Sequence, residues 1–455
     1  MKPVNPELTE EQAALFTRDR VLSRAGATLA PDDLPWSPAW GASPDWVMTV
    51  GVTGSDHKTV QSAVDAAIMA AVADGHGGLA ELRLAEGQFD GLVYLPNVQI
   101  GDDALRFRIT GAGQGRTVLT AAIDAESPGS EYRARFAAQF AVSPLPVQVL
   151  YEQIADRGKL STANASVLRN EAVGTCLQGL SIRNTYNCDR DAAAESDEKN
   201  AQGQYLSGQH QAVALLSLGD GLAVRDVALH SFQDTLYLQS REGRITRSAF
   251  ENCLIEGDVD FIFGQGTAHF QGCTIRSLGS RKAQSWATAP STRMHVPYGF
   301  VFNECHFTHD GAGDVAGGQV LLGRQWFEAV RATPYGIPPD PDYRVDLGPV
   351  SILSEDGNTI SRQTLEAVGK CVLLNCRISS EYNSVSPWGP WCGGHWDREG
   401  QHHPAPWHPR YRPVQTGLQD LQAELGPWLA AQGLCYDSAH HKGPWMGLWR
   451  CRFEI

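Results

Sequence analysis

The sequence predicts an all-β protein, a parallel β-helix with a helical N-terminal cap and long loops. Six short segments share one strand-like template, and two neighbouring repeats follow after only 26 and 20 residues. The longer gaps between the other segments indicate loops that leave the stack. A coil of this length cannot bury its own faces, so consecutive coils must stack about 4.8 Å apart.

The template is an apolar residue, two mostly polar or small residues, an apolar residue or Cys, any residue, and then an aliphatic residue or Phe. Its alternation is that of a β-strand. The six segments are LQGLSI (177–182), VRDVAL (224–229), FENCLI (250–255), FQGCTI (270–275), FNECHF (302–307) and LLNCRI (373–378). Their fourth positions include Val227, Cys253 and Cys273, which we expect to be neighbours on successive coils.

Composition limits the function. With 455 residues, 42% of them hydrophobic and 19% charged, the chain can bury a large core. A formal net charge of −14 with only 37 Lys and Arg argues against a nucleic-acid or anionic-membrane surface. No stretch approaches the roughly 18 apolar residues that span a bilayer. The N-terminal stretch has no apolar region typical of an export signal.

Two acids lie in stretches that otherwise predict buried strands. Asp234 occurs in HSFQDTLYLQS, seven residues after Val227, and Asp260 occurs in EGDVDFIFGQG, seven residues after Cys253. They should therefore stack on consecutive coils. Two carboxylates so close cannot both ionise easily, so one keeps its proton while the other stays anionic, as a general acid and a nucleophile require. The alternative is that stacked Asp side chains only cap turns, which their apolar neighbours do not favour.

The cysteines follow the same register. Cys253 and Cys273 should lie within the Cα separation of about 4.4–6.8 Å that a disulfide tolerates. We expect them to be bonded if the protein works outside the cytoplasm; the alternative is that they are small buried hydrophobic side chains. Cys305 and Cys376 occupy the same template position on later coils. The other cysteines have no CxxC spacing, so neither a zinc site nor any other cofactor is expected.

Four stretches in fixed order, GQHQAVALL (208–216), FQDTLYLQ (232–239), GDVDFIFGQG (257–266) and LLGRQW (321–326), resemble the signature motifs of the pectin methylesterases. Upstream, HKTVQSAVDAAI (57–68) and the strands after it resemble the opening of that family. The resemblance covers about residues 46–385. It implies a right-handed parallel β-helix that acts as a carbohydrate esterase. It is strongest to a bacterial branch of outer-membrane pectinesterases and acyl-CoA thioesterases.

The resemblance implies a role for each matched residue. Asp260 would be the nucleophile, Asp234 the acid and base, and Gln211 and Gln233 the donors to the tetrahedral oxyanion, while Arg324 would keep Asp260 ionised. Four further residues would line the sugar-binding groove: Trp326, Tyr237, Phe263 and Val259.

Two departures from the family pattern and one retained residue stand out. Gln325 replaces the proline of the usual G-R-P-W motif, which predicts a looser turn under Arg324 and Trp326. Residues 122–175 form an insertion longer than compact members carry. Members of the thioesterase group often lose the aspartate of the Q-D-T motif, so Asp234 favours a working esterase.

The predicted organisation has three parts: an N-terminal extension (1–45), a catalytic β-helix (46–385) and a C-terminal segment (386–455) with one amphipathic helix at 414–433. His395, His402, His403 and His408 lie in that last segment, but their spacing favours a surface loop over a metal site.

The expected activity is hydrolysis of the C6 methyl esters of pectin or methylated oligogalacturonides by a monomer. We expect it to act outside the cytoplasm, either secreted, or periplasmic or attached to the outer membrane, with the export signal absent from this chain. The alternatives are an esterase or acyl-CoA thioesterase that uses the same acids on another acyl group, and a β-helix that only binds polysaccharide.

Overall fold

The computed structural model describes residues 5–188, 197–206, 208, 210–240, 243–281, 284–313, 319–328, 335, 344–346, 359–392, 395–396, 402–403, 411–436 and 443–454. Three long sheets of parallel strands dominate these residues, and each coil of the chain contributes one strand to each sheet in turn. Within these sheets, each parallel strand pairs with the strand one whole coil further along the chain. The fold is therefore the predicted parallel β-helix.

The sheet that carries the candidate site is called here the site sheet. Its eight strands, in spatial order, are Val93–Leu95, Ser166–Asn170, Val213–Ser217, Leu236–Leu238, Val259–Gly264, Ser285–Pro290, Val320–Arg324 and Trp388–Gly389. The second sheet contains Trp46–Val50, Gly78–Leu84, Asp103–Thr110, Cys176–Gln178, Leu222–Arg225, Arg247–Glu251, Thr267–Gln271, Phe300–Asn303, Cys371–Leu374 and Met446–Trp449, with Gln99–Ile100 pairing antiparallel at one side. The third contains Gly87–Asp90, Thr117–Ala121, Ser181–Asn184, Ala228–His230, Leu254–Gly257, Thr274–Ser277, His306–His309, Arg377–Ile378 and Arg452–Phe453.

The remaining elements are short strand pairs and helices. The strand pairs are Arg24–Ala27 with Ala30–Asp33, Arg344–Asp346 with Thr359–Ser361, and His395–Trp396 with His402–His403. The α-helices are Glu10–Ala13, Arg18–Ser23, Val60–Asp74, Gly129–Phe140, Leu145–Ala155, Arg362–Leu365 and Leu418–Ala431, and 3₁₀ turns occur at Ala14–Phe16 and Thr162–Asn164. No helix in the described ranges is long and apolar enough to cross a membrane.

The repeated template marks the corner between the second and third sheets. Its third residue has a positive φ in every unit: Gly179, Asp226, Asn252, Gly272, Glu304 and Asn375. Most of these are residue types that tolerate the left-handed conformation. The fourth residue follows the corner, and the N–H groups of Leu254 and Thr274 donate to the carbonyls of Val227 and Cys253 on the preceding coils. The predicted stacking of Val227, Cys253 and Cys273 is confirmed.

The solenoid continues beyond residue 385, which is its predicted end. Met446–Trp449 pairs with Cys371–Leu374, and Arg452–Phe453 pairs with Arg377–Ile378. The segment LWRCRF (448–453) is a seventh copy of the template, with Arg450 at a φ of 50°.

Helices and the N-terminal segment cover the ends of the stack. Helix Val60–Asp74 begins at the N-cap Thr59, whose side chain accepts from the N–H of Ser62. Its buried Val, Ala and Ile side chains belong to the main core. At the other end, Leu8 N donates to Leu448 O at 2.8 Å and Leu448 N donates to Pro6 O at 2.9 Å. Residues 5–22 lie against the second sheet. The N-terminal extension thus packs on the solenoid.

The insertion contains a helical pair that packs beside the site sheet. Its two helices bring Tyr132, Phe140 and Tyr151 together, with ring centroids 5.1 Å apart for Phe140 and Tyr151. Tyr94, on the first strand of the site sheet, stacks on Phe140 at 5.0 Å, and its hydroxyl lies 2.6 Å from that of Tyr132. The predicted C-terminal helix is also present, with its leucines in the main core.

Candidate active site

Asp234 and Asp260 occupy equivalent positions on adjacent coils of the site sheet. Leu236 pairs with Ile262 and Tyr237 with Phe263, an offset of 26 residues that also separates the two aspartates. Their φ angles are both positive, 68° and 50°. The pairing of Val259–Gly264 with the next strand shifts register between Val259 and Ile262, which is a local irregularity of the kind that re-aims side chains near active sites.

Arg324 binds Asp260 through two parallel hydrogen bonds. Its Nε lies 2.9 Å from Oδ1 and its Nη2 lies 2.7 Å from Oδ2. Asp260 is 6% exposed and Arg324 is 7% exposed. A two-bond pair between guanidinium and carboxylate fixes the orientation of both groups.

Asp234 has the opposite electrostatic environment. Burial raises the pKa of its carboxyl well above the usual range, and the charges of Asp260 and Asp258 raise it further, while Arg324 opposes them. Asp258 is itself buried and paired with Arg281, at 2.7 Å from Oδ2 to Nε. Burial thus favours the neutral form of Asp234, while Asp260 is held by a cation, and this difference suits the roles of an acid and a nucleophile.

Gln211 and Gln233 lie on the two loops that lead into the strands beside these acids. The N–H of Ala212 donates to the carbonyl of Gln233 at 3.1 Å, so the two glutamines are held on neighbouring coils. The carbonyl of Gln211 accepts from the N–H of Ala125 in the insertion at 2.9 Å. Both glutamines are partly exposed.

Aromatic residues form the wall beside the acids. Tyr237 stacks on Phe263 with ring centroids 4.1 Å apart, and Phe263 meets Trp326 edge-on at 5.9 Å. Tyr237 and Phe263 are only 4% and 3% exposed, and Val259 is 6% exposed, whereas Trp326 is half-buried. Among these four predicted groove residues, Trp326 has the largest exposed fraction.

The comparisons with known proteins agree with this geometry. The family model described as Pectinesterase matches residues 198–333, which include both acids and Arg324. The chain is 27% identical over 403 residues to Pectinesterase B of Pectobacterium parmentieri, across 84% of this chain and 88% of that one. The solved structure of rice weevil pectin methyl esterase superimposes with a TM-score of 0.67 at 21% identity, covering 99% of this chain and 98% of that chain.

The chain is therefore similar to pectinesterases over most of its length. Pectinesterases are carboxylic ester hydrolases. Another relative is the putative acyl-CoA thioester hydrolase YbhC of Escherichia coli, 28% identical over 308 residues, across 63% of this chain and 66% of that one.

One prediction drawn from the pectinesterase motif is wrong. Gln325, where the family usually has proline, does not loosen the turn that carries Arg324 and Trp326. It is 2% exposed, and its Nε2 donates to the carbonyls of Val368, Gly369 and Gln415 at 2.6, 3.0 and 2.9 Å. Its Oε1 accepts from the N–H of Gln415 at 2.8 Å. Buried amide contacts therefore hold this turn.

Sequence reasoning also missed two tryptophans that enclose Arg324. The guanidinium carbon lies 4.0 Å from the ring centroid of Trp286 and 4.4 Å from that of Trp391. Trp286 pairs with Val259 on the next coil, so extending the register of the V-D-F-I-F-G strand by one coil would have found it. Trp391 lies after the last strand of the site sheet, and no periodic pattern indicates its position.

The Cys253–Cys273 disulfide stays a prediction. Both residues are buried free thiols in the structure, and their side chains interact with each other across adjacent coils. The Sγ of Cys253 also lies 3.3 Å from Glu251 O, and that of Cys273 lies 3.6 Å from Phe250 O.

Among the described residues, no group of three or more His, Cys, Asp or Glu side chains is arranged to hold a metal ion. The side chains of His395, His402, His403 and His408 lie outside the part of the chain that the structure describes.

Proposed function

We propose that this protein hydrolyses the C6 methyl esters of polygalacturonate, giving a free carboxylate and methanol. One observation carries the proposal: Asp260 is paired with Arg324, while Asp234, at the equivalent position of the adjacent coil, has a raised pKa. Similarity to pectinesterases supports ester hydrolysis, and the names of the relatives support pectin as the substrate.

In the first step a carboxylate oxygen of Asp260 attacks the carbonyl carbon of the ester, and the C=O electrons move to the carbonyl oxygen. Gln211 and Gln233 donate amide hydrogens to this oxyanion. A donor of this kind is worth about 3–4 kcal/mol in comparable sites. When the C–OCH₃ bond breaks, Asp234 gives its proton to the departing oxygen, and methanol leaves.

The resulting anhydride between Asp260 and the galacturonate is then hydrolysed. Asp234, now anionic, takes a proton from the attacking water, and the hydroxide adds to the sugar carbonyl. The bond to Asp260 breaks, and the electron pair returns to its carboxylate. The cycle consumes one ester and one water, releases one acid and one methanol, and leaves Asp234 protonated.

The aromatic wall supports a sugar substrate. Aromatic rings offer apolar faces that suit the C–H surfaces of a pyranose, and Trp326 is the member of the wall with accessible area. We assign Trp326 to direct sugar contact. The more deeply buried Tyr237, Phe263 and Val259 define the edge of the groove behind it.

Methanol release tests the proposal. The purified chain is incubated with highly methylated pectin and with methylated oligogalacturonides of defined length, and both methanol and new carboxylates are quantified. Equal amounts of the two products are expected from the parent protein. The Asp260→Asn variant, which has nearly the same shape and no nucleophile, is the matched control and should release none.

An acyl-CoA thioester is the second candidate substrate, favoured by the similarity to YbhC. The same acids could attack a thioester, so an acyl-CoA assay is run beside the methanol assay at equal enzyme concentration. Faster turnover of acyl-CoA than of pectin would contradict the proposal that pectin is the substrate. Binding of oligogalacturonides without turnover of either substrate would instead favour a polysaccharide-binding β-helix.

We further propose that the protein acts outside the cytoplasm, because pectin is a polymer too large to enter a cell intact. Fractionation of cells expressing the native gene, with detection by antibody, tests this. Detection in the cytoplasmic fraction alone would contradict it.

A further inference from the structure

We propose that the C-terminal part of the chain is a positioning element for Arg324, acting through Trp391 and through the contact between Gln325 and Gln415. This inference rests on the proposed function, in which Arg324 keeps the nucleophile ionised and oriented. It assigns a role in catalysis to residues that lie outside the four motifs shared with the family.

The first contact is the enclosure of the guanidinium. Trp286 comes from the site sheet, but Trp391 comes from the C-terminal part, and the two rings lie 4.0 and 4.4 Å from the guanidinium carbon. Arg324 also donates from Nη1 to the carbonyl of Cys392 at 3.4 Å. A desolvated cation beside aromatic rings is stabilised by their quadrupoles, and the flat guanidinium keeps its orientation. Trp391 and Cys392 therefore restrict the side chain that holds Asp260.

The second contact is made by Gln325, the residue that follows strand Val320–Arg324. Gln325 and Gln415 are joined by two hydrogen bonds, from Gln415 N to Gln325 Oε1 at 2.8 Å and from Gln325 Nε2 to Gln415 O at 2.9 Å. Both residues are almost fully buried, at 2% and 0% exposure. Because Gln325 directly follows Arg324, this pair fixes the end of the strand that carries the guanidinium.

Arg412 joins the two contacts into one unit. Its backbone pairs with that of Trp391 in both directions, at 2.9 and 2.8 Å, and its Nη2 donates to Gln415 Oε1 at 2.9 Å. Arg412 is 2% exposed and lies over the ring of Phe327. Arg412 thus joins Trp391 through its backbone to Gln415 through its side chain, and these two residues contact the consecutive residues Arg324 and Gln325.

The role of Gln325 gives an unusual expectation. Proline is the usual residue of the family motif at this position, yet proline here would remove the side-chain amide and both contacts with Gln415. Gln325→Pro should therefore lower activity, although it restores the family motif. Gln325→Glu keeps the size of the side chain but replaces the donor amide, so it should also be impaired.

The experiment compares Trp391→Leu, Trp391→Phe and Gln325→Pro with the parent, using methanol release as a function of substrate concentration. Trp428→Leu, a substitution of the same kind on helix Leu418–Ala431, is the control for general damage to the C-terminal part. Circular dichroism and thermal melting verify that each variant is folded. Trp391→Leu should lower kcat about 3- to 30-fold with little change in KM. Trp391→Phe should recover most of the loss.

A crystal structure of Trp391→Leu provides a readout that needs no substrate. Loss or distortion of the two-bond contact between Arg324 and Asp260 is expected, and an unchanged contact would overturn the inference. An unchanged kcat, together with an inactive Asp260→Asn, would overturn it while leaving the proposed function intact. A parent protein that releases no methanol would instead contradict the proposed function, and the crystal structure would then decide the positioning role alone.

Discussion

The guanidinium of Arg324 spans both carboxylate oxygens of Asp260, at 2.9 and 2.7 Å, from a strand two coils further along the solenoid. The intervening coil contributes Trp286, whose ring lies under the guanidinium. Three consecutive coils thus supply the nucleophile, its aromatic support and its cation. The stacking of the β-helix brings together residues that are 64 positions apart in the sequence.

Arg324→Lys should separate charge from orientation. Lysine keeps the positive charge but cannot make the two parallel contacts or lie flat between Trp286 and Trp391. We expect a lower kcat, because the carboxylate of Asp260 is no longer held in one orientation for attack. Arg324→Ala should show a larger loss. Equal kcat values for the parent and Arg324→Lys, measured by initial methanol release, would contradict the orienting role.

The falling limb of the pH profile should report Asp234. Its pKa is raised first by burial and then by the charges of Asp260 and Asp258, and the group must be protonated to release methanol. Activity is therefore present below this raised pKa and is lost as pH rises through it. Asp258→Asn removes one of the raising charges and leaves Arg281 without its carboxylate partner, so the falling limb should move to lower pH.

Ser285→Ala is a control for this change, because it removes only a hydroxyl that donates to the backbone carbonyl of Asp258. The falling limb of Ser285→Ala should remain at the parental position. A falling limb that stays in place in Asp258→Asn would mean that Asp258 does not influence the acid, and its buried pair with Arg281 would then be purely structural.

Lys370 should make the stability of the protein depend on pH. Burial lowers the pKa of its ammonium to about 7, and its Nζ donates to the carbonyls of Met294 and Val296 at 3.0 and 2.6 Å. The unfolded chain binds more protons between pH 7 and about 10.4, so the free energy of unfolding should rise with pH over this window. Below pH 7 both states are protonated, and the cost of the buried charge is fully present.

Lys370→Met should remove this cost. The variant should gain most stability below pH 7, by at most about 5 kcal/mol, and lose the advantage toward pH 10. Urea unfolding at pH 6, 8 and 10 measures the difference. Parallel stability curves for the variant and the parent would show that Lys370 does not titrate as expected.

The redox state of Cys253 and Cys273 has a direct chemical test. Cys253 and Cys273 should both react with iodoacetamide after unfolding without a reducing agent, because both are free thiols buried in the core. Peptide mapping by mass spectrometry identifies each modified residue. Recovery of a peptide pair that is joined before reduction would show that the two cysteines form a disulfide.

The sequence predicts the coils well because each template position has a local physical requirement. The third residue must adopt a positive φ, and the fourth must fill the core, so Asn252 and Cys253 or Gly272 and Cys273 identify a corner without any knowledge of the rest of the chain. The seventh unit was missed because Trp449 occupies its second position, where the other units mostly have polar or small residues. That omission placed the end of the solenoid too early.

The catalytic pair was predictable for the same reason. Asp234 and Asp260 lie close together because two neighbouring coils pair in register. Trp391, Arg412 and Gln415 were not predictable, since they reach the site through a segment that leaves the stack and returns. Their positions depend on tertiary contacts such as the Trp391–Arg412 pairing rather than on any sequence period.

The most direct test of the account is methanol release from methylated oligogalacturonides by Asp260→Asn beside Asp234→Asn and the parent. Asp260→Asn removes the nucleophile, whereas Asp234→Asn removes proton transfer, an effect typically worth about 10²–10⁴-fold, and leaves Gln211 and Gln233 in place. The account predicts no detectable turnover for Asp260→Asn and a severe but measurable loss for Asp234→Asn. Activity of Asp260→Asn above a small percentage of the parental rate would contradict the assignment of Asp260 as the nucleophile.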